Sequence, residues 1–88
     1  MPKGLHTEPY RRLRAQLVAE RKQAGLTQAA VATRLSKPQS YVAKYERGER
    51  RLDVVELVEL SAAIGFDPMR FVREFMAAGG SADGASSD

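Results

Sequence analysis

The sequence predicts an all-α fold: a compact five-helix domain that contains a helix-turn-helix. Apolar residues recur at spacings of three and four along most of the chain, as in amphipathic helices. No segment shows the alternation and β-branched enrichment of a strand. Candidate helix caps and glycine stops separate these apolar stretches. At 88 residues, one compact domain is expected.

The first helix is predicted from Tyr10 to Ala24, with Gly25 as its C-terminal stop. One stripe along it is apolar and comprises Leu13, Leu17 and Val18. Three arginines surround this stripe and are interpreted as a solvated face, with steering of an anionic partner as the alternative: Arg11, Arg12 and Arg14.

The second helix is predicted from Gln28 to about Leu35. Thr27 is a suitable N-cap because its hydroxyl can accept from the first turn. Its inward face comprises Val31, Ala32 and Leu35.

The third helix is predicted from about Pro38 or Gln39 to Arg47, and Gly48 closes it. Three of its residues should point toward the first two helices: Val42, Tyr45 and Glu46. Five should point outward: Gln39, Ser40, Ala43, Lys44 and Arg47.

The fourth and fifth helices follow from two further caps. Asp53 caps a helix from Val54 to Ile64, and Gly65 stops it. The inward residues of this helix are Leu57, Leu60, Ser61 and Ile64. Asp67 with Pro68 then opens a fifth helix that ends at about Ala78. Its apolar stripe comprises Phe71 or Val72, Phe75 and Met76.

The second and third helices form the predicted helix-turn-helix, because only Ser36, Lys37 and Pro38 separate them. Ala32 is small enough for the two helices to cross closely. The outward face of the third helix carries amide, hydroxyl and cationic groups with little bulk. Such a face fits the DNA major groove, where base edges present hydrogen-bond donors and acceptors.

The charge distribution also favours a nucleic-acid partner. The formal net charge is only +3. Residues 1–51 hold 12 Lys and Arg against 4 acids, or +8, whereas residues 52–88 hold 2 against 7, or −5. A basic half of this kind typically faces nucleic acid or an anionic membrane.

Composition excludes several other functions. With no cysteine and one histidine, disulfide frameworks, thiol catalysis and the usual zinc sites are excluded, and no metal site is predicted. Three acids lie on polar helix faces without a predicted pocket, so catalysis is not expected: Glu56, Glu59 and Glu74. We expect no cofactor and no small-molecule ligand. No apolar run approaches a membrane span and no targeting signal is visible, so we expect a cytoplasmic protein.

We interpret residues 1–8 as a flexible N-terminal arm and residues 9–78 as the DNA-binding domain. Residues 79–88 are small and polar, which predicts a disordered tail.

Several short motifs occur together in the middle of the chain. They are Arg21, GLTQ at 25–28, Ala32, Leu35, QSYV at 39–42 and YERG at 45–48. With these motifs, the segment from Leu13 to Leu60 resembles the helix-turn-helix domain of the lambda-type phage repressors and their bacterial relatives, the Xre family.

The resemblance implies a role for each matching residue. Three would read base edges: Gln39, Ser40 and Lys44. Five would contact phosphates: Gln28, Tyr41, Arg50, Arg51 and Lys37. For Tyr41, a thymine methyl group is the alternative contact. Arg21 would form a structural ion pair with Glu46. The family also implies a homodimer on double-stranded DNA and repression of transcription. A seam of Phe71, Phe75 and Met76 is the candidate dimer surface, with closure of a monomeric core as the alternative.

Two questions stay open at this stage. The family commonly has Gly where this chain has Ser36, so either Ser36 adopts a positive φ, or a Ser36–Gln39 capping box remodels the turn. The alternative function is a protein-interaction module on the same fold, such as an antitoxin or adaptor component.

Overall fold

The computed structural model describes the backbone of residues 7–87 and the side chains of residues 7–79. Within these residues the chain forms five helices and no strand. The helices are α1 (Glu8–Gln23), α2 (Gln28–Arg34), α3 (Gln39–Arg47), α4 (Val54–Ile64) and α5 (Pro68–Ser87). The predicted all-α class and the order of the five helices are confirmed.

The predicted caps and stops define most helix ends. The Thr27 hydroxyl accepts from the backbone of Ala30 at 3.0 Å, which starts α2. Asp53 accepts from the backbone of Glu56 and starts α4. Gly48 and Gly65 end α3 and α4 with φ of 80° and 101°, in the left-handed region that favours glycine.

Two helix ends differ from the prediction. Helix α1 begins at Glu8, because Pro9 at the start of a helix has a pre-set φ and lacks only an N–H that would be unpaired there. Helix α5 continues past the predicted end near Ala78 to Ser87, a segment that contains no proline to block the helical hydrogen bonds. The predicted arm of residues 1–8 lies mostly outside the described residues. The predicted tail of residues 79–88 lies outside the described side chains except for Gly79, and its disorder stays a prediction.

All five helices contribute to one hydrophobic core. Its centre is formed by Val31 of α2, Leu60 of α4 and Phe71 of α5, none more than 1% exposed. Helices α1 and α3 add Leu17, Val42 and Tyr45. Because both α1 and α2 pack against α3, one face of α3 is buried and the other is left outward.

Phe71 does not line a dimer seam, because its side chain is 0% exposed. Its ring stacks on Phe66 with the centroids 5.0 Å apart. The Gln16 amide donates to its backbone carbonyl at 2.8 Å and ties α5 to α1. The assignment of Phe71 to the core is therefore correct, and its assignment to the seam is wrong.

Ala43 also differs from the prediction, because it is buried and not outward. It lies three residues before Glu46, which places the two about 60° apart around α3. Its small side chain therefore belongs to the packed side of the helix.

None of the helices in the described part of the chain is long and apolar enough to cross a membrane.

Candidate nucleic-acid interface

The turn between α2 and α3 sets the position of the outward face. Ser36 has φ 58°, and it is the one residue other than glycine with positive φ in the described part of the chain. The backbone N–H of Lys37 donates to the carbonyl of Ala32 at 2.9 Å and closes the turn. Pro38 is the N-cap of α3 and no side chain caps it, so the alternative of a Ser36–Gln39 capping box is wrong. Helix α3 starts at Gln39.

The three predicted base readers are exposed on α3 and we call them the reading face: Gln39, Ser40 and Lys44. They offer an amide, a hydroxyl and an ammonium group. Arg47, one turn beyond Lys44, pairs with Glu49 at 2.8 Å on the surface. The reading face therefore presents both donors and acceptors without a bulky side chain.

Behind this face lies the ion pair between α1 and α3. Arg21 Nε donates to Glu46 Oε2 at 2.6 Å and Nη2 donates to Oε1 at 3.0 Å. The two side chains are only 11% and 8% exposed. A buried pair of this kind costs more to break on one side than it contributes when intact.

Gln28 connects this pair to the reading face. Its amide nitrogen donates to Glu46 Oε1 at 2.8 Å, and its carbonyl oxygen accepts from Gln39 Nε2 at 2.7 Å. Sequence reasoning placed Gln28 on a phosphate and did not find these two contacts. The spacing of single residues gives no sign of them, because they join α2 to two separate positions of α3.

A second polar group, the tyrosine cluster, connects α3 and the loop after it to α4, and it comprises Tyr41, Tyr45, Arg50 and Glu56. The buried Tyr45 hydroxyl donates to the Tyr41 oxygen at 3.2 Å. Arg50 donates through Nε to Tyr45 at 3.2 Å and through Nη2 to Glu56 at 2.8 Å. The predicted phosphate contact Arg50 is therefore held in place by its own neighbours.

This arrangement shifts the pKa values of the cluster. Burial, and then hydrogen bonding with Glu56 and Tyr41, raise the pKa of Tyr45. Hydrogen bonds with Tyr45 and Glu56 raise the pKa of Arg50. Partial burial favours protonation of Glu56, but hydrogen bonding with Tyr45, Arg50 and the Asp53 backbone outweighs it and lowers the Glu56 pKa. Arg50 and Glu56 are thus both charged at neutral pH.

The predicted phosphate-contacting cations lie over the faces of tyrosine rings. Lys37 and Arg50 lie 5.1 Å and 5.2 Å from the centroid of the Tyr41 ring. Arg51 lies 5.7 Å from the ring of Tyr10. The face of an aromatic ring attracts a cation at such distances, and all three cations are exposed at the surface.

Sequence reasoning missed the role of Glu56, although a signal for it was present. Asp53 and Glu56 have the spacing of a capping box, and the structure shows both of its hydrogen bonds. The same Glu56 carboxylate also accepts from Arg50. One acid therefore joins the start of α4 to the tyrosine cluster.

Two exposed apolar surfaces lie outside the reading face. The α5 stripe comprises Met69, Val72 and Met76, spaced at i, i+3 and i+7. The valine patch comprises Val54, Val55 and Val58 at the start of α4. Of the predicted seam, Met76 is 63% exposed, while Phe75 is partly buried beneath the Arg12 guanidinium at 4.9 Å.

Known proteins resemble this chain both at the level of a family model and among solved structures. A helix-turn-helix family model, HTH_3, matches residues 17–71. A solved structure described as an XRE-family like protein from Pseudomonas syringae pv. tomato str. DC3000 is similar, with 41% sequence identity and a TM-score of 0.80. The similarity covers 86% of this chain and 93% of that one. No curated protein matches the chain.

Proposed function

Since the chain belongs to the Xre-like helix-turn-helix family of DNA-binding transcription regulators, we propose that it binds duplex DNA sequence-specifically with α3 in the major groove. In this proposal the reading face contacts base edges. The homodimer blocks access of RNA polymerase and so represses transcription.

The observation that carries the proposal is the reading face itself. Gln39, Ser40 and Lys44 are exposed on one helix whose other side is packed against α1 and α2. A bidentate Gln suits adenine and a Lys suits guanine. A surface that only bound protein would have no need of this set.

Phosphate contacts would position the helix in the groove. We propose that Lys37, Tyr41, Arg50 and Arg51 contact the backbone together with Gln28. Such contacts fix register and orientation, and base contacts supply the sequence preference. The stacked positions of Lys37 and Arg50 on Tyr41 support this assignment, because these cations are already fixed in the free protein.

We propose that the homodimer forms through the α5 stripe, with Met76 as its most exposed member from the predicted seam. Exposed apolar residues at helical spacing are what a helix-to-helix contact requires. In a twofold dimer the two copies of α3 would lie roughly 34 Å apart, about one turn of DNA.

The valine patch favours one alternative function. Val54 is 75% exposed and Val55 65% exposed, and neither has a role in DNA reading. An antitoxin or adaptor component would use such a surface to hold a partner protein.

We propose that the protein acts by binding and not by catalysis, in the cytoplasm, where DNA is accessible. Glu56, one of the acids considered for acid–base chemistry, is held by Arg50 and the Asp53 backbone. Glu74 pairs with Arg70 at 3.0 Å on the surface.

Selection of binding sites from random duplex DNA tests the proposed function. We expect a twofold-symmetric site with half-sites about one helical turn apart. Absence of any enriched sequence would reject sequence-specific binding and favour the interaction module. Enrichment of a single unpaired half-site would keep DNA reading and reject the dimer.

A further inference from the structure

Four side chains form a continuous hydrogen-bonded chain from α1 to the reading face, and we call it the relay: Arg21, Glu46, Gln28 and Gln39. Arg21 bonds both oxygens of Glu46, Glu46 bonds Gln28, and Gln28 bonds Gln39. Only the last member lies on the reading face.

The direction of hydrogen bonding is fixed at the buried end of the relay. A guanidinium can only donate and an ionised carboxylate can only accept. Arg21 donates to both Glu46 oxygens, and its remaining Nη1 donates to the carbonyl of Leu26 at 2.9 Å. Neither member of this buried pair can reverse its role.

The fixed roles of Arg21 and Glu46 also determine which way the two glutamine amides point. An amide can point either its NH₂ group or its oxygen at a neighbour. Because Glu46 Oε1 can only accept, Gln28 must turn its NH₂ group toward it. The oxygen of Gln28 then faces Gln39, and Gln39 must donate an N–H to it.

The result is a defined pattern on the reading face. Gln39 uses one N–H on Gln28, so one N–H and the carbonyl oxygen stay available. Adenine offers the matching pair in the major groove, an acceptor at N7 and a donor at N6. If the glutamines were reversed, Gln39 would present two N–H groups, which match the two acceptors of guanine, N7 and O6.

We propose that Glu46, held by Arg21, is a specificity-determining positioning residue that fixes the amide direction of Gln39 and so favours adenine over guanine at one base pair. The proposal rests on the proposed function, because it concerns the base that Gln39 reads. It gives the buried ion pair a role in recognition in addition to its role in packing.

Glu46→Gln tests the proposal, because an amide in place of the carboxylate allows Gln28 to adopt either direction. Binding sites are first selected with the wild type, and the base pair read by Gln39 is identified as the one whose preference Gln39→Ala removes. We expect Glu46→Gln to lower the adenine-over-guanine ratio at that pair by about tenfold. Preferences at the other positions should stay unchanged.

Two further variants separate positioning from general destabilisation. Glu49→Gln is the matched control, since it makes the same charge change in an exposed ion pair with Arg47 outside the relay. It should leave the ratio unchanged. Adding Gln28→Glu to Glu46→Gln should restore adenine preference, because a carboxylate at 28 again forces Gln39 to donate, although overall affinity falls from the added negative charge.

Each outcome decides the question. A folded Glu46→Gln protein with the wild-type ratio, or one with equal losses at every position, overturns the proposal while the proposed function stands. If Glu46→Gln does not fold, Gln28→Met replaces it, since that variant keeps the ion pair and cuts the relay. A wild-type ratio in Gln28→Met then overturns the proposal. A wild type that selects no sequence removes the proposed function itself.

Discussion

At the scale of single residues, Ser36 shows that a required backbone conformation outweighs side-chain preference. The short connection between α2 and α3 needs a left-handed residue, and the chain places a serine there with φ 58°. An L-residue with a Cβ atom is strained in this region by roughly 1–2 kcal/mol. This strain is a local cost of the geometry that orients the reading face.

Ser36→Gly should therefore stabilise the protein. Relief of the strain is partly offset by the greater freedom of glycine in the unfolded chain, about 0.4–1 kcal/mol. We expect the free energy of unfolding to rise by about 0.5–1 kcal/mol, measured by urea denaturation. Gly25→Ala is the reverse control, because Gly25 has φ 74° with open space around it, and it should destabilise. A loss of stability in Ser36→Gly would contradict this account.

Lys44 is the member of the reading face with the simplest expected effect. Lys44→Ala should weaken binding to the selected site by roughly 1–3 kcal/mol and relax base preference at one position. Titration of matched and single-base-variant duplexes measures both quantities. Lys22→Ala makes the same charge change on α1 and should alter no base preference. Equal affinity and preference in Lys44→Ala would remove Lys44 as a base reader.

At the scale of elements, α4 depends on the acid in its first turn. Glu56 completes the capping box with Asp53 and pairs with Arg50. Hydrogen bonds lower its pKa below the ordinary value of 4.5, despite its partial burial. A carboxylate with a lowered folded pKa stabilises the fold above its unfolded pKa, and this stabilisation is lost as pH falls through the folded pKa.

Glu56→Gln should show this pH dependence directly. Glutamine also serves at this position of a capping box, so the variant mainly removes the charge. We expect it to be less stable by about 1–2 kcal/mol at neutral pH, and the difference from wild type should shrink as pH falls below about 4.5. Denaturation at several pH values measures the difference, with the exposed Glu59→Gln on the same helix as control. A difference that is constant with pH would contradict the proposed role of the charge.

At the scale of the whole molecule, the net charge of +3 is the sum of a basic first half and an acidic second half of the chain. The first half of the chain, at +8, contains α1 to α3 and the loop after α3. The second half, at −5, contains α4 and α5 with both exposed apolar surfaces. In the proposed complex the basic half faces phosphates and the acidic half supplies the contacts between subunits.

The proposed phosphate contacts make binding strongly dependent on salt. Three cations per subunit take part, Lys37, Arg50 and Arg51. A dimer neutralises about six phosphates, so it should give a slope of about −5 when the logarithm of the association constant is plotted against that of salt concentration. Titrations across a range of salt concentrations give the slope. A flat dependence would reject the phosphate contacts.

The dimer surface can be located by charge substitution. Met76→Asp places a charge in the α5 stripe and should convert the dimer to a monomer, as measured by sedimentation equilibrium. Val55→Asp introduces the same side chain in the valine patch and should leave the dimer intact. The opposite result would move the seam to α4, and a wild type that is monomeric at tens of micromolar would reject the homodimer.

A structural feature was predictable from the sequence when residues close together in the chain determine it. The bounds of α4 were predictable because Asp53 and Gly65 mark its two ends. The positions of Ala43 and Phe71 were not, since they depend on which neighbouring helix covers each side of α3 and α5. The relay was also out of reach, because Gln28 and Gln39 meet only once the turn at Ser36 has folded, whereas the family motif alone paired Arg21 with Glu46.

The hydrogen bond from Gln39 to Gln28 has a thermodynamic consequence for recognition. A free glutamine side chain on a surface samples many rotamers, and fixing it costs on the order of 1–2 kcal/mol of conformational entropy. Here that entropy is lost when the protein folds, because Gln39 is already bonded at 2.7 Å in the absence of DNA. The encounter with a base edge then requires little further ordering of this side chain. Gln39 should therefore engage its base with a smaller entropic cost than the exposed Lys44.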